Sequence, residues 1–402
     1  MAPHIFAGKR IVVGVTGSIA SFKVAGWVSD LAKEEAQVSV IMTSAAKEFV
    51  SPLTFAALSG NKVHEAMFCS AAESPMAHID LARDADCLLI APATADIIAK
   101  LAVGIADDLL TTTVLAATPS TIILCPAMNS RMYHHPATQR NLCELKKLGY
   151  GIIDPGSGVM ACKEEGQGRL AEWEEVKERI SFLLSPQDLQ GVSVLVTAGP
   201  TREAIDPARF VSNRSSGKMG YAVAQAARRR GAVVLLISGP TNLLPPLGVN
   251  FIKVSSAVEM HAAVLAHAGT CQVVIKAAAV ADFRPETFNR HKVKKEQVGT
   301  TLNLTGNPDI LFELGKQKKV GQILVGFAAE SENLFAEGRR KLEKKNLDFI
   351  AINDISGVQT GFESESNQLH LLSATGVESL PHTSKLHCAN FLLDRILPLL
   401  GH

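Results

Sequence analysis

The sequence predicts an α/β protein built as two tandem doubly wound domains with mainly parallel sheets. Short β-branched apolar runs alternate with segments whose apolar residues recur at helical spacing, the pattern of parallel strands covered by helices on both faces. That pattern stops near residue 190 and then starts again. The length of 402 residues, at about 150 residues per domain, leaves room for two to three separate cores.

In the first half a strand is predicted over residues 10–15, followed by a helix whose Val24, Trp27, Val28 and Leu31 share one face, and by a second strand over 38–42. Further strands are predicted at 87–91 and 121–125, with a helix around Ile97 and Leu101. An acidic, tryptophan-bearing helix over 172–184 closes the half, and Ser185-Pro186-Gln187-Asp188 breaks the pattern. The predicted domains are therefore 1–190 and 191–402. The second half restarts with a strand at 192–197, an Ala198-Gly199-Pro200 turn and a helix over 219–230. Arg228, Arg229 and Arg230 suit that helix's C-terminus, and Gly231 suits a left-handed cap. Strands are predicted at 233–238, 273–275, 323–326 and 349–352, and a late edge strand at 370–373.

Composition limits the function classes. Hydrophobic residues make up 47% and charged residues 20%, which excludes a disordered chain. Forty basic against thirty-nine acidic residues give a net charge of +1, too small a field to steer the molecule onto nucleic acid or an anionic membrane. Small-molecule partners are expected instead, with anions held by local clusters. The cysteines (Cys69, Cys87, Cys125, Cys143, Cys162, Cys271, Cys388) are odd in number, scattered and never spaced C-x-x-C. They suggest neither a disulfide framework nor a zinc site, and point to a reducing, cytoplasmic location. Lys9-Arg10 before an apolar run imitates a secretory leader, but the run is β-branched and ends in Gly14, Gly17 and Ser18, as a strand entering a phosphate-type loop does. The uncharged stretch 109–130 is interrupted by Pro119 and Pro126 and reads as helix then strand rather than a membrane span.

Gly14-Val15-Thr16-Gly17-Ser18-Ile19 turns a strand into a helix, where backbone N–H groups and the helix dipole favour a phosphate. It is not G-x-G-x-x-G, so a nicotinamide dinucleotide site, which also expects an acidic residue further on, has little support. Thr43-Ser44-Ala45 and Pro92-Ala93-Thr94-Ala95-Asp96 end two other strands. Three hydroxyl-rich loops should therefore collect at the carboxyl edge of one sheet, where open α/β folds bind ligands. His134-His135 has no third ligand at metal spacing, and no metal ligand set is identified.

These segments, together with Met76-Ala77-His78-Ile79-Asp80-Leu81, Gly104-Ile105-Ala106-Asp107-Asp108, Pro126-Ala127-Met128-Asn129-Ser130-Arg131-Met132 and Gly158-Val159-Met160-Ala161-Cys162 with Gly166-Gln167-Gly168-Arg169, resemble the homo-oligomeric flavin-containing cysteine decarboxylase family to about residue 180. The resemblance implies a flavodoxin-like first half that binds FMN through Gly17, Ser18, Ile19, Thr43, Ser44, Thr94, Ala95, Asp96 and Ala127. Many family members carry Ser-Ala-Asn where this chain has Thr94-Ala95-Asp96, so the expectation rests most on Gly17 and Ser18. It also implies catalytic roles: His78 in base chemistry at the flavin, Asn129 orienting the substrate carboxylate or amide, and Cys162 in a closing loop supplying a proton. The implied reaction oxidises the cysteinyl thiol side to a thioaldehyde, releases carbon dioxide as an enethiol forms, and returns the hydride.

In the second half, Asn213-Arg214-Ser215-Ser216-Gly217-Lys218-Met219-Gly220 leads into a helix and only imitates a Walker A loop, since Met219 follows the lysine. Lys292, Lys294 and Lys295 form a basic run, Lys341 and Lys345 share a helix face, and Asn307-Pro308-Asp309-Ile310 reads as an N-cap with proline at the first helical position. With Ala277-Ala278-Ala279-Val280-Ala281-Asp282-Phe283 and Gly326-Phe327-Ala328-Ala329-Glu330, these blocks resemble the phosphopantothenate-cysteine ligase family over about residues 191–395.

That resemblance implies a Rossmann-like half that activates 4'-phosphopantothenate with CTP and magnesium as an acyl-cytidylate, which cysteine then displaces. CTP would be lined by Ala277, Ala278, Asp282, Lys292, Pro308, Asp309, Ile310, Leu311, Phe327, Lys341 and Lys345. Asn213 and Lys292 would act on the acyl-cytidylate. Two such families in this order imply a bifunctional enzyme of coenzyme A synthesis, trimeric through the flavin half, dimeric through the ligase half, and together a dodecamer. A non-enzymatic flavin-binding regulator is the alternative, since some relatives of the first half act by binding partners.

Overall fold

The computed structural model describes residues 5–68, 76–159, 163–292, 301–330, 334–354 and 366–401. The chain divides into two units, one ending at Ser185 and the other beginning at Pro186, inside the Ser185-Pro186-Gln187-Asp188 break.

The first unit is organised by strands β1 (Arg10–Val15), β2 (Gln37–Met42), β3 (Val63–His64), β4 (Cys87–Ala93), β5 (Ile122–Pro126) and β6 (Gly151–Ile152). All pair in parallel, in the order β3-β2-β1-β4-β5-β6. Without the two-residue edge strand β3, the remaining five strands have the 2-1-3-4-5 order of a flavodoxin-like sheet. The chain reverses direction across the sheet between β1 and β4, which opens a crevice at their carboxyl ends. Helices α1 (Ser21–Lys33), α2 (Pro52–Ser59), α3 (Ala77–Asp84), α4 (Ala95–Val103), α5 (Leu109–Ala116), α6 (Ser130–Tyr133), α7 (Pro136–Lys147) and α8 (Trp173–Leu184) complete the unit.

Alternation along each strand feeds two cores. Ile11 and Val13 join Val24, Val28 and Leu31 of α1 and Val176 and Ile180 of α8 on one face. Val12, Leu88 and Ile90 join Ile97, Leu101, Leu110 and Leu145 on the other. Trp27 and Trp173 stack at 5.5 Å and lock α1 to α8. Strands β7 (Gly156–Val159) and β8 (Glu165–Arg169) pair as a separate antiparallel ribbon of this unit. Cys162 lies outside the described residues, as does Cys69.

In the second unit, β9 (Ser193–Ala198) restarts the pattern. A small hairpin of β10 (Arg202–Ala204) and β11 (Phe210–Ser212) precedes α9 (Lys218–Arg229), β12 (Val233–Ser238), β13 (Asn250–Lys253), α10 (Ala257–Ala268) and β14 (Val273–Lys276). A second ribbon, β15 (Phe283–Pro285) with β16 (Leu304–Gly306), leads to α11 (Ile310–Gln317), β17 (Ile323–Glu330), α12 (Leu334–Lys344), β18 (Phe349–Asp354), β19 (Ser366–Ser373), β20 (Gly376–Ser384) and α13 (Lys385–Ile396). The main sheet has the order β13-β12-β9-β14-β17-β18-β19-β20, parallel as far as β18 and antiparallel beyond it. Helices α9 and α13 cover one face, and α10, α11 and α12 the other.

Two expectations need correcting. The late strand over 370–373 is not the edge: β19 starts at Ser366 and is covered by β20, a mostly exposed edge strand whose Pro381 and scattered polar residues show no period-2 signal. The helix after Pro308 is capped not by Asn307 but by Asp309, whose carboxylate accepts from Phe312 N at 3.1 Å. Asn307 instead donates to Ala281 O at 2.8 Å and accepts from Arg284 at 3.0 Å, which ties the α11 approach to the stretch after β14 and to β15.

Candidate active sites

At the carboxyl edge of the first sheet, the loops after β1, β2 and β4 are fastened to one another. Thr16, buried, donates its hydroxyl to Pro92 O at 2.6 Å and accepts from Thr94 N at 3.3 Å. Thr43 caps the 3-10 turn Ser44–Glu48 by accepting from Ala46 N, and Thr94 caps α4 by accepting from Ile97 N. Gly17 is obligatory because an added Cβ would sit 2.5 Å from Ala45 Cβ, where the first and second loops touch.

These loops enclose a cavity of about 650 Å³ lined by Gly17, Ser18, Thr43, Ser44, Thr94, Ala95, Asp96 and Ala127, which are the expected flavin residues apart from Ile19. Lys100 sits on the rim between Asp96 at 3.5 Å and Asp107 at 3.1 Å, so the cation of the rim is already matched by carboxylates.

Ile19 and Asn129 line an adjoining cavity of about 350 Å³ that shares Ser18, Ala127 and Met128 with the first. Asn129 caps α6, accepting from Arg131 N at 2.9 Å, and its amide donates to Glu164 on the β8 side of the ribbon at 3.0 Å. His78, half-buried on α3, lines neither cavity.

In the second unit the loop before α9 is pressed against the strand ends. A Cβ on Gly220 would meet Ala198 Cβ at 2.6 Å, and Gly217, at φ +79°, stands against Thr241 and Gly199. Asn213 donates to Ala279 O at 3.3 Å and Val280 O at 3.1 Å, and the Thr197 and Thr201 hydroxyls accept from Ala278 N and Ala281 N. The stretch after β14 is thereby held open beside a cavity of about 450 Å³.

Of the expected residues, Asn213, Ala277, Ala278, Asp282, Leu311, Phe327, Lys341 and Lys345 line this cavity. Pro308 and Asp309 stand at the head of α11 outside the lining, although Asp309 holds Lys345 at 2.8 Å. Ile310 is packed in the core, and Lys292 is exposed at the end of a described stretch. Lys294 and Lys295 lie outside the described residues.

Arg214 and Lys218, which the sequence places in the phosphate-suited loop before α9, line the cavity as well, and four further lining residues escaped the sequence reading: Lys276, Asn353, Asn367 and Lys385. Lys276 could have been noticed as a charge ending an apolar strand. Asn353 stands at the carboxyl end of the parallel strand β18, whereas Asn367 and Lys385 come from β19 and α13, which the antiparallel return of the sheet brings to this edge. Asn353 Oδ1 and Asn367 Oδ1 are buried without a hydrogen-bond partner among the described residues and offer two acceptors in the cavity wall. Among the described lining residues, six cationic side chains (Arg214, Lys218, Lys276, Lys341, Lys345, Lys385) face one carboxylate, Asp282. Burial, with help from Lys345 and Lys341, pushes the Lys276 ammonium down to about 8.

Among the described residues no group of three or more His, Cys, Asp or Glu is arranged to hold a metal ion, and no helix is long and apolar enough to cross a membrane. Cys87, Cys125, Cys143, Cys271 and Cys388 are free thiols.

Two doubly wound units, each with a loop-lined cavity at its carboxyl sheet edge, define a two-site α/β enzyme. Residues 3–185 match the family described as Flavoprotein, and residues 189–399 the DNA/pantothenate metabolism flavoprotein C-terminal domain. The chain belongs to the family of coenzyme A biosynthesis bifunctional proteins, in which a decarboxylase and a ligase share one chain. It is 48% identical over 391 residues to the CoaBC protein of Haemophilus influenzae, covering 97% of both chains. To that of Bacillus subtilis it is 47% identical over 396 residues, again covering 97% of each. A crystal structure of the C-terminal domain of a CoaBC protein is 42% identical, with a TM-score of 0.47, over 54% of this chain and 98% of that one. The non-enzymatic regulator is set aside by this membership.

Proposed function

We propose that the second half joins 4'-phosphopantothenate to cysteine at the expense of CTP, through an acyl-cytidylate, and that the first half decarboxylates the resulting 4'-phosphopantothenoylcysteine to 4'-phosphopantetheine with FMN. The observation that carries this division is the contrast between the two cavities. One is lined by hydroxyls and backbone at strand and helix ends with a single lysine at its rim, while the described lining of the other gathers six cationic side chains and one carboxylate.

FMN fits the first cavity by size and by donor set, since about 300–1,000 Å³ is usual for such ligands and Thr16 to Ser18, Thr43, Ser44 and Thr94 converge on it. When bound, FMN supplies a reversible two-electron acceptor that gives the carbon losing carbon dioxide an adjacent electron sink. Ser18 and Ala127, common to both cavities, would hold flavin and substrate side by side. Asn129, oriented by Arg131 N and Glu164, presents its amide to the substrate's carboxylate or amide. Cys162 supplies a proton to the product, and His78 handles the proton at the flavin. The position of His78 outside either cavity of its own chain supports a site completed by another copy, as expected of a trimer. Dimerisation through the ligase half would extend the trimers to a dodecamer, in the cytoplasm.

In the ligase half, converging lysines offset a multiply charged triphosphate that one cation could not. Asp282 is the carboxylate available to magnesium carried in with CTP, a metal that commonly uses one or two carboxylates plus phosphates. Asn213, fastened to Ala279 and Val280, is positioned to hold the acyl-cytidylate, and Lys292 would neutralise its charge.

The test is mass spectrometry of the products formed by the full chain with 4'-phosphopantothenate, cysteine, CTP and magnesium. 4'-Phosphopantetheine is the expected product. Its absence, together with the absence of phosphopantothenoylcysteine, overturns the proposal. Replacing Cys162 by Ser should preserve ligation and stall decarboxylation at an oxidised intermediate.

A further inference from the structure

Lys276 ends β14, next to β9 in the middle of the second sheet, and lines the cationic cavity. Its Nζ has one hydrogen-bond acceptor among the described residues, Ala278 O at 3.5 Å. The charges facing it come from three neighbouring segments. Lys341 and Lys345, on α12 and just beyond it, repel the ammonium, whereas Asp309 ahead of α11 and Asp282 beyond β14 attract it. Asp309 is already bound to Lys345 at 2.8 Å. Lys276 is thus a partly buried ammonium on the cavity wall, in cationic surroundings, without a carboxylate of its own among the described residues. A lysine kept only for packing would be expected to extend its head group to solvent or to a paired acid.

We propose that Lys276 is a further nucleotide-binding residue of the ligase half: the triphosphate becomes its counter-charge, and binding of the nucleotide draws a proton from solvent onto it. This rests on the reading of the second half as CTP-dependent. The sign follows from the surroundings. Burial and the neighbouring lysines hold the free-state value at about 8, so the ammonium is about half deprotonated near pH 8 before nucleotide arrives. A polyanion favours the charged form and returns the group towards its ordinary value of about 10.5. Uptake is then about half a proton at pH 8 and about 0.9 at pH 9, and nucleotide affinity falls as pH rises above about 8. A lysine serving as proton acceptor for the cysteine amine would have to stay neutral in the nucleotide complex, which the same polyanion opposes.

The experiment is isothermal titration of the full chain with Mg·CTP at pH 9 in two buffers of different ionisation enthalpy. This reads proton uptake directly and needs no turnover. The wild-type chain should take up about 0.9 proton per site. Lys276→Met should lose that uptake and bind about tenfold more weakly at pH 7. Lys276→Arg should keep the affinity while losing the uptake, because its guanidinium is always charged. Equal uptake or equal affinity in wild type and Lys276→Met, with Mg·CTP bound by both, overturns the role of Lys276 and leaves the ligase reading intact. A wild-type chain that binds no Mg·CTP overturns both.

Discussion

Gly17→Ala is the sharpest probe of the flavin cavity. The added methyl would lie 2.5 Å from Ala45 Cβ, 3.1 Å from the Ala45 carbonyl carbon and 3.2 Å from its oxygen. Two carbon atoms rest at about 3.5–4.0 Å, so the loop after β1 and the 3-10 turn after β2 must part by about 1 Å. Thr43 and Ser44 move with that turn and Ser18 with Gly17, so the lining residues on the two sides of the cavity separate. Overpacking of this kind costs about 1–3 kcal/mol, and the cost falls mainly on the closed, FMN-bound arrangement. A value of about 2 kcal/mol corresponds to roughly 30-fold weaker FMN binding, read by flavin fluorescence titration of the apoprotein. Ala45→Gly removes the nearest atom but leaves the two carbonyl contacts, so the double variant should recover most of the loss. Wild-type FMN affinity in Gly17→Ala would refute the reasoning, as would a double variant no better than the single one.

Three further outcomes are expected. Arg230, nearly buried, bridges Asp188 at 2.7 Å and Asp394 at 2.6 Å; Arg230→Met should cost about 2 kcal/mol, less than a fully buried pair because both carboxylates keep some water, and an unchanged urea midpoint for the second unit would show the bridge to be idle. Burial works to raise the Asp309 carboxyl, but the Lys345 ammonium and Phe312 N–H hold it below its ordinary value. Its contribution to stability is therefore present above about pH 4 and lost as pH falls through the lower folded value, and in Lys345→Met the acid loss of melting temperature should begin at higher pH. Asn367→Leu removes a buried acceptor that has no partner among the described residues, so the ligand-free second unit should melt no lower, and about 1 kcal/mol of added stability is expected, while substrate or nucleotide affinity falls; a large destabilisation would show that the carboxamide serves the fold instead.

Much of the architecture was readable because parallel strands buried on both faces announce themselves as apolar runs. Residues 10–15 and 233–238 form strands with those very bounds, and Gly231 adopts the left-handed conformation expected after α9. The edge strand β20 was not readable, because a strand with its side chains mostly in water has no reason to alternate. The flavin loops were legible as three hydroxyl-rich strand ends, and most of them meet at one cavity. The far wall of the second cavity was not. Asn367 and Lys385 are ordinary polar residues until the chain turns back through β19 and β20, and nothing local distinguishes them, or Asn353 at the end of β18, from surface. Asp309 shows a subtler limit: Asn and Asp both cap helices, and Asn307 was diverted by Ala281 and Arg284.

The separate cores of the two units bear on what happens when the chain is cut short. Ile11, Leu88 and Val176 are buried among residues before Ser185, and Val194, Ile275 and Leu392 among residues after Pro186. A message that terminates anywhere beyond the break therefore still encodes every residue of the first unit's two apolar clusters. Heat or urea need not act on the chain as one object either, so the melting of the second unit is to be followed as its own transition. Selection can then act on each half's stability almost as though the halves were separate genes.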